Sequence, residues 1–131
     1  MKFLLDTHAL LWYLSGDPNL SVKAKEIIDA KADLYFSIAS LWEIGIKVNI
    51  GKLQINRPID ALLGELEYLH IQILPITIRD IKLYSELPLP HTSKHRDPFD
   101  RILVAQAMNH SLVLVSRDVA FDPYSIERIW E

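Results

Sequence analysis

The amino-terminal residues constrain the fold of this chain most strongly. An unbroken apolar run, Phe3-Leu4-Leu5, ends at Asp6, and a segment compatible with a helix follows at once. A short apolar run that ends at a turn signal predicts a strand buried on both faces, as in a parallel sheet. Open α/β sheets bind their ligands at the carboxyl ends of such strands. Asp6 therefore lies where a ligand site is expected.

The composition is that of an ordinary globular chain. Half of the 131 residues are hydrophobic and 24% are charged, and we expect one domain over residues 1–131. No apolar run approaches the ~20 residues that span a bilayer, and Asp6 and His8 interrupt the only stretch that resembles a secretory signal. The absence of cysteine is compatible with a reducing cytoplasm, where we expect the protein. The formal net charge of -3 argues against a generally basic nucleic-acid-binding surface.

Strand and helix signals alternate along the chain. Further strands are predicted at 34–36, 71–74, 112–115 and within 126–130. The predicted helices cover 9–14, 22–30, 37–49, 58–68, 77–87 and 97–109, and 91–96 is predicted as a loop. The alternation predicts a three-layer α/β domain with the first strand at its centre.

Acidic residues recur where the predicted strands end. Glu43 follows the second strand, and Asp118 lies just past the fourth. Asp100 is the first residue on the apolar face of its helix, which continues with Leu103. Burial of a carboxylate on that face would cost free energy unless it were paired or bound to a cation. Together with Asp6, these positions predict one acidic cluster.

Each carboxylate also has a local interpretation. Ser40-x-x-Glu43 matches a capping box, and this interpretation stands beside the functional one. Asp97 before Pro98 is typical of a helix N-cap, and we assign it that role with a supporting role near the cluster. Asp118 can be interpreted as a turn residue, because aspartate is common where a strand ends. One or two coincidences are expected among 17 acidic side chains, but four positions arranged in this way are harder to dismiss.

Clustered carboxylates repel one another and raise one another's pKa values. A hard divalent cation bound between them removes the energetic cost of this repulsion. Mg²⁺ and Mn²⁺ prefer oxygen ligands and can position water for attack on a phosphodiester. The histidines lack zinc-site spacing, and we interpret His8 and His95 as solvated or structural. Neither a glycine-rich phosphate loop nor a serine-hydrolase elbow is present in the sequence.

Basic residues flank the acidic ones. Arg96 and Arg117 are the two that we expect to contact phosphates. The others are interpreted individually as solvated surface residues: Lys47, Lys52, Lys94 and Arg101.

Four segments of the sequence resemble the PIN-domain ribonucleases, and within them the VapC-type toxins of prokaryotic toxin–antitoxin pairs. They occur in the family's order and are residues 3–12 (FLLDTHALLW), 37–44 (SIASLWEI), 95–107 (HRDPFDRILVAQA) and 115–118 (VSRD). The resemblance covers essentially the whole chain. It implies a central five-stranded parallel sheet in the order 3-2-1-4-5.

The resemblance also implies the chemistry of the site. Asp6 and Asp100 would be the principal ligands of Mg²⁺ or Mn²⁺, Glu43 and Asp118 would complete the shell, and metal-activated water would hydrolyse RNA. Three further residues would support them: Asp97 at an additional acidic position, and Thr7 and Ser116 through hydrogen bonds.

The same resemblance implies a homodimer and a cognate antitoxin that lays helices in a hydrophobic groove. No membrane partner is expected. Exposed aromatic residues such as Trp12 or Tyr13 are candidates for the dimer surface.

Other functions remain open at this point. A haloacid-dehalogenase-type phosphotransferase needs a second aspartate where this chain has His8, and the paired acids and late lysine of a receiver domain are not evident. A non-catalytic RNA- or protein-binding module and a PIN nuclease of RNA processing outside a toxin–antitoxin pair are the remaining alternatives.

Overall fold

A computed structural model of the protein describes residues 1–89 and 97–131. Its sheet has five strands, in the order β3-β2-β1-β4-β5, and each neighbouring pair is parallel. The strands are β1 (Lys2–Leu5), β2 (Asp33–Ser37), β3 (Ile71–Leu74), β4 (Val113–Val115) and β5 (Arg128–Ile129). The predicted strand order, with the first strand at the centre, is confirmed.

Six helices connect these strands in the described residues. They are α1 (Thr7–Ser15), α2 (Val22–Asp29), α3 (Ile38–Asn49), α4 (Ile59–Tyr68), α5 (Ile78–Glu86) and α6 (Pro98–His110). The predicted helices agree within about two residues at either end. The predicted loop at 91–96 lies outside the described residues. In 1–89 and 97–131, no helix is both long enough and apolar enough to cross a bilayer.

The central strand β1 is buried on both faces, as its unbroken apolar run predicted. Phe3 and Leu5 pack on one face of the sheet, in a cluster that includes Ile28 of α2. Leu4 packs on the other face with Val104 of α6. Each fully buried leucine stabilises the fold by about 1.5–3 kcal/mol relative to an exposed one. Helices therefore cover both faces of the sheet, which confirms the three-layer arrangement.

The register of the strands brings their carboxyl ends to one edge. Leu5 pairs with Phe36 on one side and with Val115 on the other. The next residue, Asp6, donates its backbone N–H to the Val115 carbonyl oxygen at 3.1 Å. Asp6 thus lies at the middle of the edge from which α3 and the segment after β4 also begin.

A buried carboxylate joins α5 to α6 away from this edge. Asp80 is 0% exposed, and its Oδ2 accepts the backbone N–H of Thr77 in a reciprocal capping box. The Asn109 side chain donates to Asp80 Oδ1 at 2.8 Å, and His110 Nε2 lies 3.7 Å from the same oxygen. Asp80 therefore fixes both the start of α5 and its packing on α6.

Candidate active site

Asp6 begins the first helix. Its Oδ1 accepts the backbone N–H of Ala9 at 2.9 Å, so α1 begins two residues earlier than the sequence predicted. Burial raises the pKa of the Asp6 carboxyl above its usual value, and the charge of Asp118 adds to the rise. A hydrogen bond from the Ser116 side chain and the Ala9 N–H oppose this shift by stabilising the carboxylate.

Glu43 lies in the interior of α3 rather than at its start. Ser37 is the N-cap, because its Oγ accepts the Ala39 N–H at 3.0 Å. The alternative capping box between Ser40 and Glu43 is therefore wrong. The Glu43 side chain is buried, its Oε1 accepts a 2.7 Å hydrogen bond from Thr7 Oγ1, and its Oε2 lies 3.2 Å from Lys47 Nζ. The hydrogen bond expected from Thr7 is present.

Asp97 and Asp100 occupy the first turn of α6. Asp97 is its N-cap as predicted, and its Oδ1 accepts the Phe99 N–H at 2.8 Å. Asp100 is partly buried, and burial, followed by the charges of Asp97, Glu43, Asp6 and Asp118, raises its pKa to about 7. Three of these four charges, those of Glu43, Asp6 and Asp118, come from other segments of the chain, so the acidic cluster is electrostatically coupled.

Asp118 follows β4 and caps a short 3-10 turn, Val119–Phe121. Its Oδ1 accepts the Ala120 N–H at 2.9 Å, so Asp118 is a turn residue, as its local interpretation predicted. Its own N–H donates to Ser116 Oγ at 3.1 Å. Ser116 therefore lies between two members of the cluster, since it accepts the Asp118 N–H and its side chain lowers the pKa of Asp6.

All of these carboxylates line one open cleft of about 480 Å³. Its lining comprises Asp6, Thr7, His8, Trp12, Glu43, Lys47, Asp97, Asp100, Arg117, Asp118, Val119 and Phe121. In the parts of the chain that the structure describes, no three His, Asp or Glu side chains already converge in the arrangement that holds a metal ion. The donors are nonetheless carboxylate and hydroxyl oxygens, the ligands that hard divalent cations prefer. Burial, with a smaller effect of neighbouring carboxylates, raises the pKa values of Asp6 and Asp100, and a bound cation would stabilise both carboxylates. The residue set therefore fits such a cation.

The structure agrees with only part of the sequence-based interpretation of the basic residues. Arg117 lies in the cleft as predicted, whereas Arg96 lies outside the described residues. Arg101 is not a solvated surface residue, since it is 5% exposed and donates to Tyr124 Oη at 2.8 Å and to the Pro88 carbonyl oxygen at 3.1 Å. Its buried neighbours come from distant segments, which no local pattern reveals.

The aromatic residues proposed for the dimer surface are only partly exposed. Trp12 lines the cleft and packs edge-on against Trp130, and the Tyr13 hydroxyl donates to Asp29 at 2.6 Å. His8, interpreted as solvated or structural, is exposed, but its ring stacks on Trp12 inside the same cleft. The spacing of His8 and Trp12 by four residues on a helix is the signal that could have revealed this pair.

Comparisons with known proteins agree with this fold. The chain is 28% identical over 115 residues to Ribonuclease VapC22 of Mycobacterium tuberculosis, an alignment that covers 88% of this chain and 85% of that protein. Its fold is similar to that of DNA-bound VapBC from Salmonella typhimurium (TM-score 0.70, 16% identity, 98% of this chain and 97% of that one). It is also similar to VapBC2 from Rickettsia felis bound to a DNA fragment from their promoter (TM-score 0.65, 15% identity, 100% of each chain). Residues 3–126 match the PIN domain, and the protein therefore belongs to the PIN-domain family.

Proposed function

We propose that this protein is a metal-dependent endoribonuclease and the toxin of a VapBC-type toxin–antitoxin pair. The observation that carries the proposal is the coupled acidic cluster, in which Asp6, Glu43, Asp100 and Asp118 come from four segments and line one cleft. The pKa of Asp100 is raised to about 7 first by burial and then by the neighbouring negative charges, and a bound cation would offset both effects by stabilising the carboxylate. Membership of the PIN family and the similarity to Ribonuclease VapC22 support RNA as the substrate.

Asp6 and Asp100 would be the principal ligands of Mg²⁺ or Mn²⁺, and Glu43 and Asp118 would complete the shell of the ion or its water molecules. When bound, the ion would supply positive charge that acidifies a water molecule and stabilises the leaving oxygen of the phosphodiester. The carboxylates would orient that water, and the partly buried cleft would strengthen their electrostatic interactions with the reacting group.

The neighbouring residues would hold these carboxylates in place. Thr7 fixes one oxygen of Glu43, and Lys47 balances the charge on the other. Ser116 would support Asp6, whose pKa its side chain lowers, and it accepts the backbone N–H of Asp118. Asp97 fixes the start of α6 and adds negative charge beside Asp100. Arg117, together with Arg96, would bind the phosphates of the substrate.

A homodimer and a cognate antitoxin are part of the proposal. The similar solved structures from Rickettsia felis and Salmonella typhimurium are of VapBC bound to DNA, and a cognate antitoxin would bind this chain and restrain the nuclease. We place the pair in the cytoplasm, where its RNA substrates would be.

The experiment that tests the activity is cleavage of a mixed pool of structured and unstructured RNAs. Purified protein is compared with Asp6→Asn and Asp100→Asn, each with Mg²⁺, Mn²⁺ or EDTA. Asp60→Asn is the matched control, because Asp60 is exposed on α4 and does not line the cleft. We expect metal-dependent cleavage by the wild type and by Asp60→Asn alone. Equal cleavage by all four proteins, or binding of RNA without cleavage by any of them, would contradict the nuclease assignment.

The toxin assignment needs a separate test in cells. Expression of the protein alone is expected to arrest growth, and co-expression of the antitoxin is expected to restore it. Cleavage without any effect on growth would favour a nuclease of RNA processing instead.

A further inference from the structure

Three aromatic rings contact one another in series at one side of the cleft, and the stack formed by His8 and Trp12 rests edge-on against Trp130. The His8 and Trp12 rings lie 5.4 Å apart at 19°, one turn apart on α1. The Trp12 ring meets Trp130 edge-on at 6.0 Å, and Trp130 is buried in the core. The stack is therefore anchored in the core at Trp130, while its other end, His8, is exposed.

Arg117 adds a positive charge to this stack. Its guanidinium carbon lies 4.6 Å from the centroid of the Trp12 ring, a cation–π contact. Its Nη1 donates to Asn19 Oδ1 at 3.2 Å, which fixes the side chain through a neutral partner. The guanidinium has five N–H donors, so this contact leaves donors for an anionic group.

The stack and the acidic cluster share one cleft. His8, Trp12 and Arg117 line it together with Asp6 and Asp118. His8 follows Asp6 closely in the chain, and Arg117 immediately precedes Asp118. A phosphodiester at the carboxylates would thus bring its flanking base and phosphate to the aromatic rings and the arginine.

We propose that His8, held on Trp12, is a stacking platform for one unpaired nucleobase beside the cleaved phosphodiester, and that Arg117 binds the adjoining phosphate. This inference rests on the proposed nuclease function and assigns a base-binding subsite to it. A base can lie on an imidazole ring only if it has left its own helical stack, so the subsite accepts an unpaired nucleotide. Stacking tolerates any base, because every base has an aromatic face. The platform therefore selects unpaired RNA without selecting a sequence.

A purely structural role makes a different prediction. Aromatic pairs one turn apart on a helix stabilise it slightly, whether or not a base is ever bound. His8→Ala would then lower only stability, and RNA affinity would not change in the folded protein. The test must therefore separate contacts to bases from contacts to the phosphate backbone.

The experiment measures binding of short oligoribonucleotides in Mg²⁺, in an Asp100→Asn background that prevents cleavage. The probes are a single strand of mixed sequence, an abasic strand of the same length, and the corresponding duplex. His8→Ala is compared with His8→Phe, which keeps an aromatic face, and with Tyr68→Ala, an aromatic residue that is 80% exposed and does not line the cleft. Arg117→Ala is measured over a series of salt concentrations.

We expect His8→Ala to weaken binding of the intact single strand about tenfold and to leave the abasic strand unaffected. His8→Phe should restore most of the affinity, and Tyr68→Ala should change nothing. Arg117→Ala should weaken both single strands and reduce the slope of log affinity against log salt by about one.

The proposal is overturned if intact and abasic strands bind the parent protein equally, if His8→Ala binds the intact strand as well as the parent does, or if the parent binds neither strand. None of these results decides the nuclease assignment, because metal-dependent cleavage by the wild type is measured independently. A nuclease that cleaves RNA but is indifferent to His8→Ala would retain the proposed function and lose only the platform.

Discussion

Thr7 Oγ1 donates a 2.7 Å hydrogen bond to Glu43 Oε1 and joins the start of α1 to the interior of α3. Both side chains are buried, and the second oxygen of Glu43 lies 3.2 Å from Lys47 Nζ. Glu43 is thus held on two sides, with its carboxylate oriented before any substrate or cation arrives. Such pre-orientation reduces the reorganisation that a reaction requires.

Replacement of Thr7 by valine tests this contact at nearly constant volume. The variant leaves a buried carboxylate oxygen without its donor, which costs about 1–3 kcal/mol. We expect the free energy of unfolding to fall by that amount and the cleavage rate to fall as well, as measured by urea denaturation and by the RNA assay. Thr7→Ser keeps the hydroxyl and should retain most of both properties. A Thr7→Val protein as stable and as active as the wild type would show that the hydrogen bond is dispensable.

The raised pKa of Asp100 predicts how stability depends on pH without added metal. The carboxyl ionises near 3.8 in the unfolded chain and at about 7 in the folded protein. Between these values the folded state binds more protons, so the Asp100 contribution to the free energy of unfolding decreases as the pH rises and is lost above about pH 7.

Asp100→Asn removes this dependence, because the amide does not ionise. We compare the free energies of unfolding of Asp100→Asn and the wild type in EDTA. We expect the value for the variant, relative to the wild type, to increase by more than about 1 kcal/mol as the pH rises from about 5 to about 8. Denaturant unfolding at several pH values measures the difference. Parallel curves for the two proteins would show that Asp100 ionises normally in the folded state.

Local sequence patterns predicted most of the strands and helices. The run from Phe3 to Leu5 identified a strand buried on both faces, and the Asp97-Pro98 pair identified the start of α6. The strand order, by contrast, was implied by resemblance to a family rather than by any pattern in the strands themselves.

Contacts between distant segments account for what sequence reasoning missed. The Thr7 partner of Glu43 depends on the packing of α1 beside α3. The burial of Arg101 depends on Tyr124 and on carbonyl groups after α5, so its charge alone suggested a surface residue. Asp80 was not identified from the sequence, because its partner Asn109 lies on another helix.

Asp80 is expected to be a major determinant of stability outside the cleft. Asp80→Ala leaves the Thr77 N–H and the Asn109 amide without their acceptor, and we expect a loss of about 2–4 kcal/mol. Asp60→Ala, at an exposed position in the first turn of α4, should cost about 0.5 kcal/mol or less. Thermal and urea unfolding measure both variants. Similar stabilities for the two would contradict the assigned role of the buried carboxylate.

Arg101 is expected to stabilise the fold rather than to bind RNA. The guanidinium donates from Nη1 to the Tyr124 hydroxyl and the Pro88 carbonyl and from Nη2 to the Leu87 carbonyl, and a single ammonium nitrogen cannot reproduce this spread of donors. Arg101→Lys should lower the free energy of unfolding by about 1–3 kcal/mol and leave the salt dependence of RNA binding unchanged. Arg79→Lys, at an exposed position on α5, is the matched control and should alter neither property. A change in the salt dependence for Arg101→Lys alone would instead place this residue on the RNA.

The most direct test of the acidic cleft is calorimetric titration of the purified protein with Mn²⁺ in two buffers of different ionisation enthalpy. Because the pKa of Asp100 is about 7, binding should release close to one proton at about pH 6 and almost none at about pH 8.5. Asp6→Asn and Asp100→Asn should each weaken binding at least tenfold, and Asp60→Asn should bind as the wild type does. Saturable binding that is weakened by both cleft variants and carries this proton release would support a divalent-cation site at these carboxylates. Absence of binding, or binding that all three variants retain, would contradict it.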